Sequence, residues 1–275
     1  MKCCRKCDIK ISEEFGYEQN KVILISIDAM RPDGFLACKN PYAEEMLKKA
    51  YYTLDGKTVL PSVTLPCHMS LFHSVPPQRH GITTNTYVPM VRPLNGLFEQ
   101  LHKAGKICAM YYGWGQLRDI ATPITVTYAQ CINARRTAGS ADTELTDCAL
   151  DRIRKNKPDF VFLYMVESDE KGGHDHGWMT EPYLNLLSIA LDNVKRVIEE
   201  CGDEYTIIVT ADHGGHDRTH GSDLPEDMTI PMFYFGKQFE TGKRFSGGSI
   251  LDIAPTIAKI MDVPPADEWE GTSVI

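Results

Sequence analysis

Residues 205–215, YTIIVTADHGG, predict a buried β-strand that ends in side chains able to bind a metal ion. The β-branched run up to Thr210 is typical of a strand in the core of a sheet. Asp212 and His213 follow it directly, and two glycines then allow the backbone to turn sharply beside them. Aspartate together with histidine is a ligand combination that zinc-like cations prefer. The same stretch also fits an ordinary polar turn after a core strand, so other motifs are needed to distinguish the two.

Two further apolar runs end in the same kind of side chain. Residues 22–27, VILISI, are followed by Asp28, and residues 160–165, FVFLYM, lead into a segment that contains Asp169 and His174. Ligands bind beyond the carboxyl ends of parallel strands in open α/β sheets. Three strands that end this way therefore predict one shared metal site.

Thr64 is a candidate nucleophile at the start of a helix. Residues 61–72, PSVTLPCHMSLF, pass from turn-forming residues into an apolar run, and Pro66 suits the first turn of a helix. Thr64 is then expected just ahead of that helix, where free N–H groups and the helix dipole favour a phosphoryl group. An ordinary N-cap role is the structural alternative. A hydroxyl needs activation to attack at neutral pH, and a bound divalent cation provides it.

The order of these motifs resembles the alkaline phosphatase superfamily, and most closely its nucleotide pyrophosphatase/phosphodiesterase branch. The resemblance extends over nearly the whole chain and depends on Asp28, TLPCH at 64–68, Asp169, His174, DHG at 212–214, and His220. The order and combined spacing of the motifs carry the resemblance, since none is decisive alone. It implies a two-metal site and a covalent intermediate on Thr64.

The resemblance assigns ligands to two divalent cations, with Zn²⁺ expected and Mn²⁺ or iron as substitutes. One cation would be held by Asp28, Thr64, Asp212 and His213. The other would be held by Asp169, His174 and His220. Asn85 matches the asparagine that helps to hold a non-bridging phosphate oxygen. Phosphoryl transfer requires mainly positioning and charge neutralisation, so two cations and one amide donor are sufficient.

The spacing of the second ligand set departs from the family pattern. The family has Asp-x-x-Gly-His, whereas one residue more separates Asp169 from His174. Either the extra glycine of residues 172–173 bulges out and Asp169 binds, or Glu170 binds at the usual spacing. We favour Asp169.

Three more residues near these motifs need an interpretation. Cys67 stands where the diesterase branch often has asparagine, so the rim of the site is expected to differ from that of the family. His176 and His216 are close in sequence to the ligand motifs. We interpret them as residues around the ligands or on the surface.

Composition narrows the class of protein. A net charge of −8 argues against a nucleic-acid-binding surface. The sequence has no long apolar stretch and no apolar run near Met1, so neither a membrane span nor a secretory signal is expected and a cytoplasmic location is predicted. The nine cysteines fit reduced thiols. Cys4 and Cys7 form a single Cys-x-x-Cys pair. We interpret this segment as part of a disordered tail and not as a zinc knuckle.

Alternating strand and helix patterns predict a single α/β domain over residues 1–275, with a doubly wound, mostly parallel central sheet and helices on both faces. Residues 1–20 are predicted to be a peripheral tail. Residues 113–146 are poorly patterned and are the candidate for a substrate-facing cap or loop.

These observations predict a metal-dependent phosphohydrolase that cleaves phosphodiester or pyrophosphate bonds of small molecules or nucleotides. A phosphomonoesterase is the main alternative. An arginine or lysine beside the substrate phosphate would favour it. The sequence does not show whether Arg31, Arg79, Arg118 or Lys171 lies there. A sulfatase would need cysteine or serine at the position of Thr64, and a phosphomutase would need larger inserted domains. A non-catalytic metal-binding protein would not need Thr64 beside a full ligand set.

Overall fold

The computed structural model describes residues 20–275, so residues 1–19 of the predicted tail, with Cys4 and Cys7, lie outside the described range. A seven-stranded sheet is formed by β1 (Val22–Ile27), β2 (Tyr51–Lys57), β3 (Cys108–Tyr112), β4 (Tyr128–Cys131), β5 (Phe160–Met165), β6 (Thr206–Thr210) and β7 (Thr229–Phe235). Its strand order is β2-β7-β6-β1-β5-β3-β4. β7 runs antiparallel to β2 and β6, while the other paired strands are parallel. The predicted mostly parallel sheet is confirmed.

The helices pack in two groups. They are α1 (Pro32–Ala37), α2 (Pro41–Lys49), α3 (Thr64–His73), α4 (Pro77–His80), α5 (Leu97–Lys103), α6 (Ala141–Asn156), α7 (His174–His176), α8 (Glu181–Cys201), α9 (Pro225–Met228) and α10 (Ile253–Ile260). α1, α2 and α6 contact α8, whereas α3, α5 and α10 contact one another. Every residue of β1, β5 and β6 is buried, which requires cover on both faces of the sheet, as predicted. None of the described helices is long and apolar enough to span a lipid bilayer.

Aromatic packing sets the position of α3 on the sheet. Side chains at alternate positions of a strand share a face, and Phe162 and Tyr164 of β5 both face α3. Phe162 packs edge-on against Phe72, with ring centroids 4.9 Å apart, and Tyr164 packs in the same way against His68 at 5.1 Å. These contacts place the first turn of α3 at the carboxyl end of β5.

Thr64 is the first residue of α3, and Val63 is the N-cap. The prediction that Thr64 lies ahead of the helix was therefore wrong by one position, and the alternative of an N-cap role was wrong as well. The reason is that the first four N–H groups of a helix have no partner within it. Pro66 is consequently tolerated in the third helical position as well as in the first.

Residues 113–146 contain more regular structure than their pattern predicted. Two 3₁₀ turns cover Gly115–Ile120 and Pro123–Thr125, and β4 and the start of α6 follow. β4 was missed because it is an edge strand whose residues are mostly exposed, so it lacks an apolar pattern. β2, the other edge strand, was missed for the same reason, since only two of its residues are buried. A substrate-facing role for residues 113–146 stays a prediction.

Candidate metal centre

The three strands with predicted ligands lie side by side. β1 is between β5 and β6 and is parallel to both, so their carboxyl ends meet at one edge of the sheet. Asp28 follows β1, Asp212 and His213 follow β6, and Asp169 lies shortly beyond β5. The topology therefore brings these side chains together.

The first cluster consists of Asp28, Thr64, Asp212 and His213. His213 Nε2 is at its centre, 3.4 Å from Asp28 Oδ1, 3.4 Å from Asp212 Oδ2 and 3.1 Å from Thr64 Oγ1. All four side chains are buried. These are the residues that the resemblance assigns to one cation.

The second cluster consists of Asp169, His174 and His220. Asp169 Oδ2 is 3.4 Å from His174 Nε2, and Asp169 Oδ1 is 3.8 Å from His220 Nε2. The ring of His220 stacks on the ring of His213, with 4.0 Å between their centroids. The two clusters are thus adjacent, and they contain all seven predicted ligands.

A π-helical turn over Ser168–Gly173 absorbs the extra residue of the second ligand set. The N–H of His174 donates to the carbonyl of Asp169, five residues earlier, so the backbone widens by one residue and both side chains still meet. Glu170, by contrast, pairs with the Arg135 guanidinium. The structure therefore places Asp169, and not Glu170, in the cluster.

Three carboxylate oxygens of the two clusters are buried without a hydrogen-bond partner, namely Asp28 Oδ1, Asp169 Oδ1 and Asp212 Oδ2. Such atoms are rare in folded proteins, because an unpaired buried polar atom costs about 1–3 kcal/mol. Burial, reinforced by neighbouring carboxylates, raises the pKa of Asp28 and of Asp169 well above the ordinary value. A divalent cation in each cluster would bind these oxygens and offset their repulsion. The donor set fits two cations.

The three histidines are oriented for metal binding by hydrogen bonds on their far side. Nδ1 of His213 lies 2.7 Å from the Gly214 carbonyl, that of His220 lies 2.9 Å from the Ser62 carbonyl, and that of His174 lies 3.1 Å from the Arg218 carbonyl. A carbonyl only accepts, so Nδ1 carries the proton and donates. In a neutral ring Nε2 then keeps its lone pair, and burial lowers the pKa of His220 to about 3. This is the usual arrangement around ligating histidines.

Asn85 lies at the start of α3 beside the first cluster. Its Oδ1 accepts a hydrogen bond of 3.0 Å from the backbone N–H of Leu65, the residue after Thr64. The side-chain oxygen of Asn85 is therefore used in this hydrogen bond to the first turn of α3. The Nδ2 group is the donor that remains for a phosphate oxygen.

The other three residues lie outside both clusters. Cys67 is fully buried under the site and receives a hydrogen bond from Thr58, so it does not form the rim that its position suggested. His216 pairs with Asp227 at 2.7 Å, and His176 is exposed. The interpretation of the two histidines agrees with these positions.

Sequence reasoning missed two residues beneath the first cluster, His68 and Tyr164. His68 Nδ1 is 2.8 Å from the Thr64 carbonyl and 3.4 Å from Asp212 Oδ2, while the Tyr164 hydroxyl donates to Asp28 Oδ2. His68 ends the TLPCH motif but was given no role, and Tyr164 has no local signal because it lies in an apolar strand. Only the packing of α3 on β5 shows their relation to the ligands.

Two family models match the chain. The metalloenzyme superfamily matches residues 103–265, and the Type I phosphodiesterase/nucleotide pyrophosphatase family matches residues 22–130. The fold and the paired ligand clusters define the class as an α/β metalloenzyme. The chain belongs to the metalloenzyme superfamily, and the match over residues 22–130 confirms, for that part of the chain, the predicted resemblance to the nucleotide pyrophosphatase/phosphodiesterase branch of the alkaline phosphatase superfamily.

Curated relatives include two kinds of mutase. The 2,3-bisphosphoglycerate-independent phosphoglycerate mutase of Clostridioides difficile is 30% identical over 141 residues, which are 48% of this chain and 27% of that protein. The phosphopentomutase of Clostridium kluyveri is 30% identical over 118 residues, which are 42% of this chain and 30% of that protein. The chain therefore spans less than a third of the length of these relatives.

Solved structures share the fold over most of the chain. Murine ectonucleotide pyrophosphatase/phosphodiesterase 5, solved in complex with AMP, aligns with a TM-score of 0.75 and 14% identity, over 89% of this chain and 96% of that one. A phosphonate monoester hydrolase from Silicibacter pomeroyi aligns with a TM-score of 0.71 and 15% identity, over 92% of this chain and 75% of that one. At such identities the likeness shows the fold alone.

Proposed function

We propose that this protein is a two-metal phosphohydrolase that cleaves phosphodiester or pyrophosphate bonds of small molecules or nucleotides through a covalent phosphothreonine. The observation that carries the proposal is the position of Thr64. Its hydroxyl lies in the first cluster, 3.1 Å from His213 Nε2, at the first residue of a helix. A buried hydroxyl among metal-type ligands is suited to nucleophilic attack.

The metal ligands in this proposal are the two clusters. Asp28, Thr64, Asp212 and His213 would hold the first cation, and Asp169, His174 and His220 would hold the second. Nitrogen and oxygen donors of this kind suit Zn²⁺, with Mn²⁺ or iron as substitutes. The cations would supply positive charge that favours the ionised Thr64 hydroxyl and neutralises the phosphoryl oxygens.

The protein side chains then carry two successive displacements. Thr64 Oγ1 forms a bond to phosphorus, the bond to the leaving oxygen breaks, and the hydroxyl proton passes to solvent. Water next attacks the phosphothreonine, so the phosphoryl product leaves and the Thr64 hydroxyl is restored. Asn85 Nδ2 donates to a non-bridging oxygen in both steps, where charge accumulates.

Charge at the site favours a diester over a monoester. The four cations that the sequence left unplaced each lie beside an acidic side chain: Arg31 pairs with Asp33, Arg79 with Glu270, Arg118 lies beside Asp119, and Lys171 pairs with Glu167. The positive charge of these four side chains is thus partly offset, which supports a diester over a monoester. A monoester would place a second negative charge near the buried carboxylates.

Substrate preference tests this proposal. We expect kcat/KM for bis-p-nitrophenyl phosphate to exceed that for p-nitrophenyl phosphate by about tenfold or more, equivalent to about 1.4 kcal/mol in the transition state. Nitrophenolate release by the metal-loaded protein measures both, and Thr64→Ala prepared in parallel corrects for contaminating hydrolases. Preference for the monoester would favour the phosphomonoesterase alternative. Transfer of the phosphoryl group to a second hydroxyl instead of water would favour a mutase, the activity of the curated relatives.

Metal content is the second test. We expect about two zinc-like ions per chain by elemental analysis, with His176→Ala as a control that keeps both, since His176 is exposed and outside the clusters. The pKa of Asp28 and of Asp169 is raised without metal, and a cation binds the ionised carboxylates, so metal affinity should rise with pH. Calorimetry in buffers of different ionisation enthalpy measures the proton release on metal binding. Full activity with one bound metal at most would contradict the two-metal scheme.

A further inference from the structure

The carboxyl end of β5 contacts the backbone and the side chain of Asp28. The N–H of Asp28 donates to the Met165 carbonyl at 2.8 Å, and the Ser168 hydroxyl donates to the Asp28 carbonyl at 2.6 Å. The Tyr164 hydroxyl donates to Asp28 Oδ2. Tyr164, Met165 and Ser168 are all buried. One short segment therefore holds three polar groups of a single ligand residue.

Tyr164 determines which oxygen of Asp28 faces the first cluster. With Oδ2 engaged by the phenol, Oδ1 is the oxygen that lies 3.4 Å from His213 Nε2 and has no partner. A carboxylate rotates easily about its last torsion, because that torsion is broad and roughly two-fold. The Tyr164 hydrogen bond removes this freedom.

Tyr164 is itself held by the residue that holds the nucleophile. Its ring meets the edge of the His68 ring, and His68 donates through Nδ1 to the Thr64 carbonyl. His68 Nε2 is also 3.1 Å from the Ser26 hydroxyl on β1. Tyr164 is thus linked directly to Asp28 and, through His68, to the backbone of Thr64.

Ser168 connects the segment of the second cluster to Asp28. It is the first residue of the π-helical turn, and Asp169 follows it directly. π-helical turns are rare and are frequently found at functional sites. The Ser168 hydrogen bond ties its start to the backbone of Asp28.

We propose that Tyr164 and Ser168 are positioning residues with separate targets, Tyr164 for the first metal site through Asp28 and Ser168 for the second through Asp169. The proposal rests on the two-metal function proposed above. Neither residue touches the substrate, and both act by limiting the orientation of a ligand. β5 thereby sets the geometry of the two sites relative to each other.

The test uses Tyr164→Phe and Ser168→Ala in the full chain, with stepwise zinc affinities measured by competition with a chromogenic chelator. His174→Ala and Asp212→Asn, each lacking one ligand, assign the two constants to the two sites. We expect Tyr164→Phe to weaken the first site by about 10–100-fold, the usual effect of losing a group that orients a ligand. Ser168→Ala should weaken the second site in the same range. Excess zinc should restore most of the activity in both.

Tyr205→Phe is the matched control, because the Tyr205 hydroxyl is also buried but donates to the Pro158 carbonyl, away from both clusters. It should keep both zinc affinities, and thermal unfolding of the metal-free variants separates misfolding from a local effect. Unchanged affinities in Tyr164→Phe and Ser168→Ala, or equal loss at both sites in each, would overturn the inference while the function stands. Fewer than two zinc ions on the wild-type protein would contradict the proposed function itself.

Discussion

Replacing Thr64 with alanine is expected to lower kcat for bis-p-nitrophenyl phosphate by on the order of 10³-fold or more, because the attacking oxygen is removed. The fold should change little. Val63, and not Thr64, is the N-cap of α3, and the Thr64 side chain contacts the cluster through His213. Metal content should stay near the wild-type value, since Asp28, Asp212 and His213 remain. Steady-state kinetics measures kcat, and elemental analysis of the same preparation measures the metal content.

Thr64→Ser is the matched control for this variant. It keeps a hydroxyl at the same position and should retain partial activity. Mass spectrometry of acid-quenched wild-type protein should detect a phosphoryl adduct on Thr64 during turnover, and Thr64→Ala should form none. A near-normal kcat in Thr64→Ala would replace the covalent mechanism by direct attack of water.

Asp169→Asn is expected to remove one metal and nearly all activity. Among the three residues of the second cluster, Asp169 is the only carboxylate, and histidine binds a metal ion through a neutral ring. An amide has nearly the volume of a carboxylate but lacks its charge. Loss of the charge should weaken the site by more than the about 10–100-fold that is typical of residues behind the ligands. Elemental analysis after dialysis and kcat/KM measure the two effects.

Glu170→Gln is the matched control, one residue away. Glu170 pairs with Arg135 and lies outside the cluster, so its loss should leave both metals bound and cost no more than about tenfold in kcat/KM. The reverse ranking of the two variants would make Glu170 the ligand at the usual family spacing. Mild and equal effects would mean that the second metal does not bind at this cluster.

The sequence by itself was enough to predict the central strands of the sheet and the candidate ligands that follow them. Apolar runs such as residues 22–27 and 160–165 determine buried parallel strands, because a strand covered on both faces must be apolar throughout. Ligands such as Asp28 and Asp212 come directly after such runs. Parallel strand direction places them at one edge of the sheet, and the adjacency of β5, β1 and β6 brings them together. The edge strands β2 and β4 were not predicted, because most of their residues are not buried and they therefore lack a continuous apolar run.

Tertiary structure alone decided between Asp169 and Glu170. The choice depends on the π-helical turn and on Arg135, which approaches Glu170 from a segment far away in sequence. The roles of Tyr164 and Ser168 likewise exist only once β5 lies beside β1. Side chains that bind a metal can be recognised by their chemistry and position in the sequence. Residues that orient them are chemically ordinary, and their function arises from contacts between distant segments.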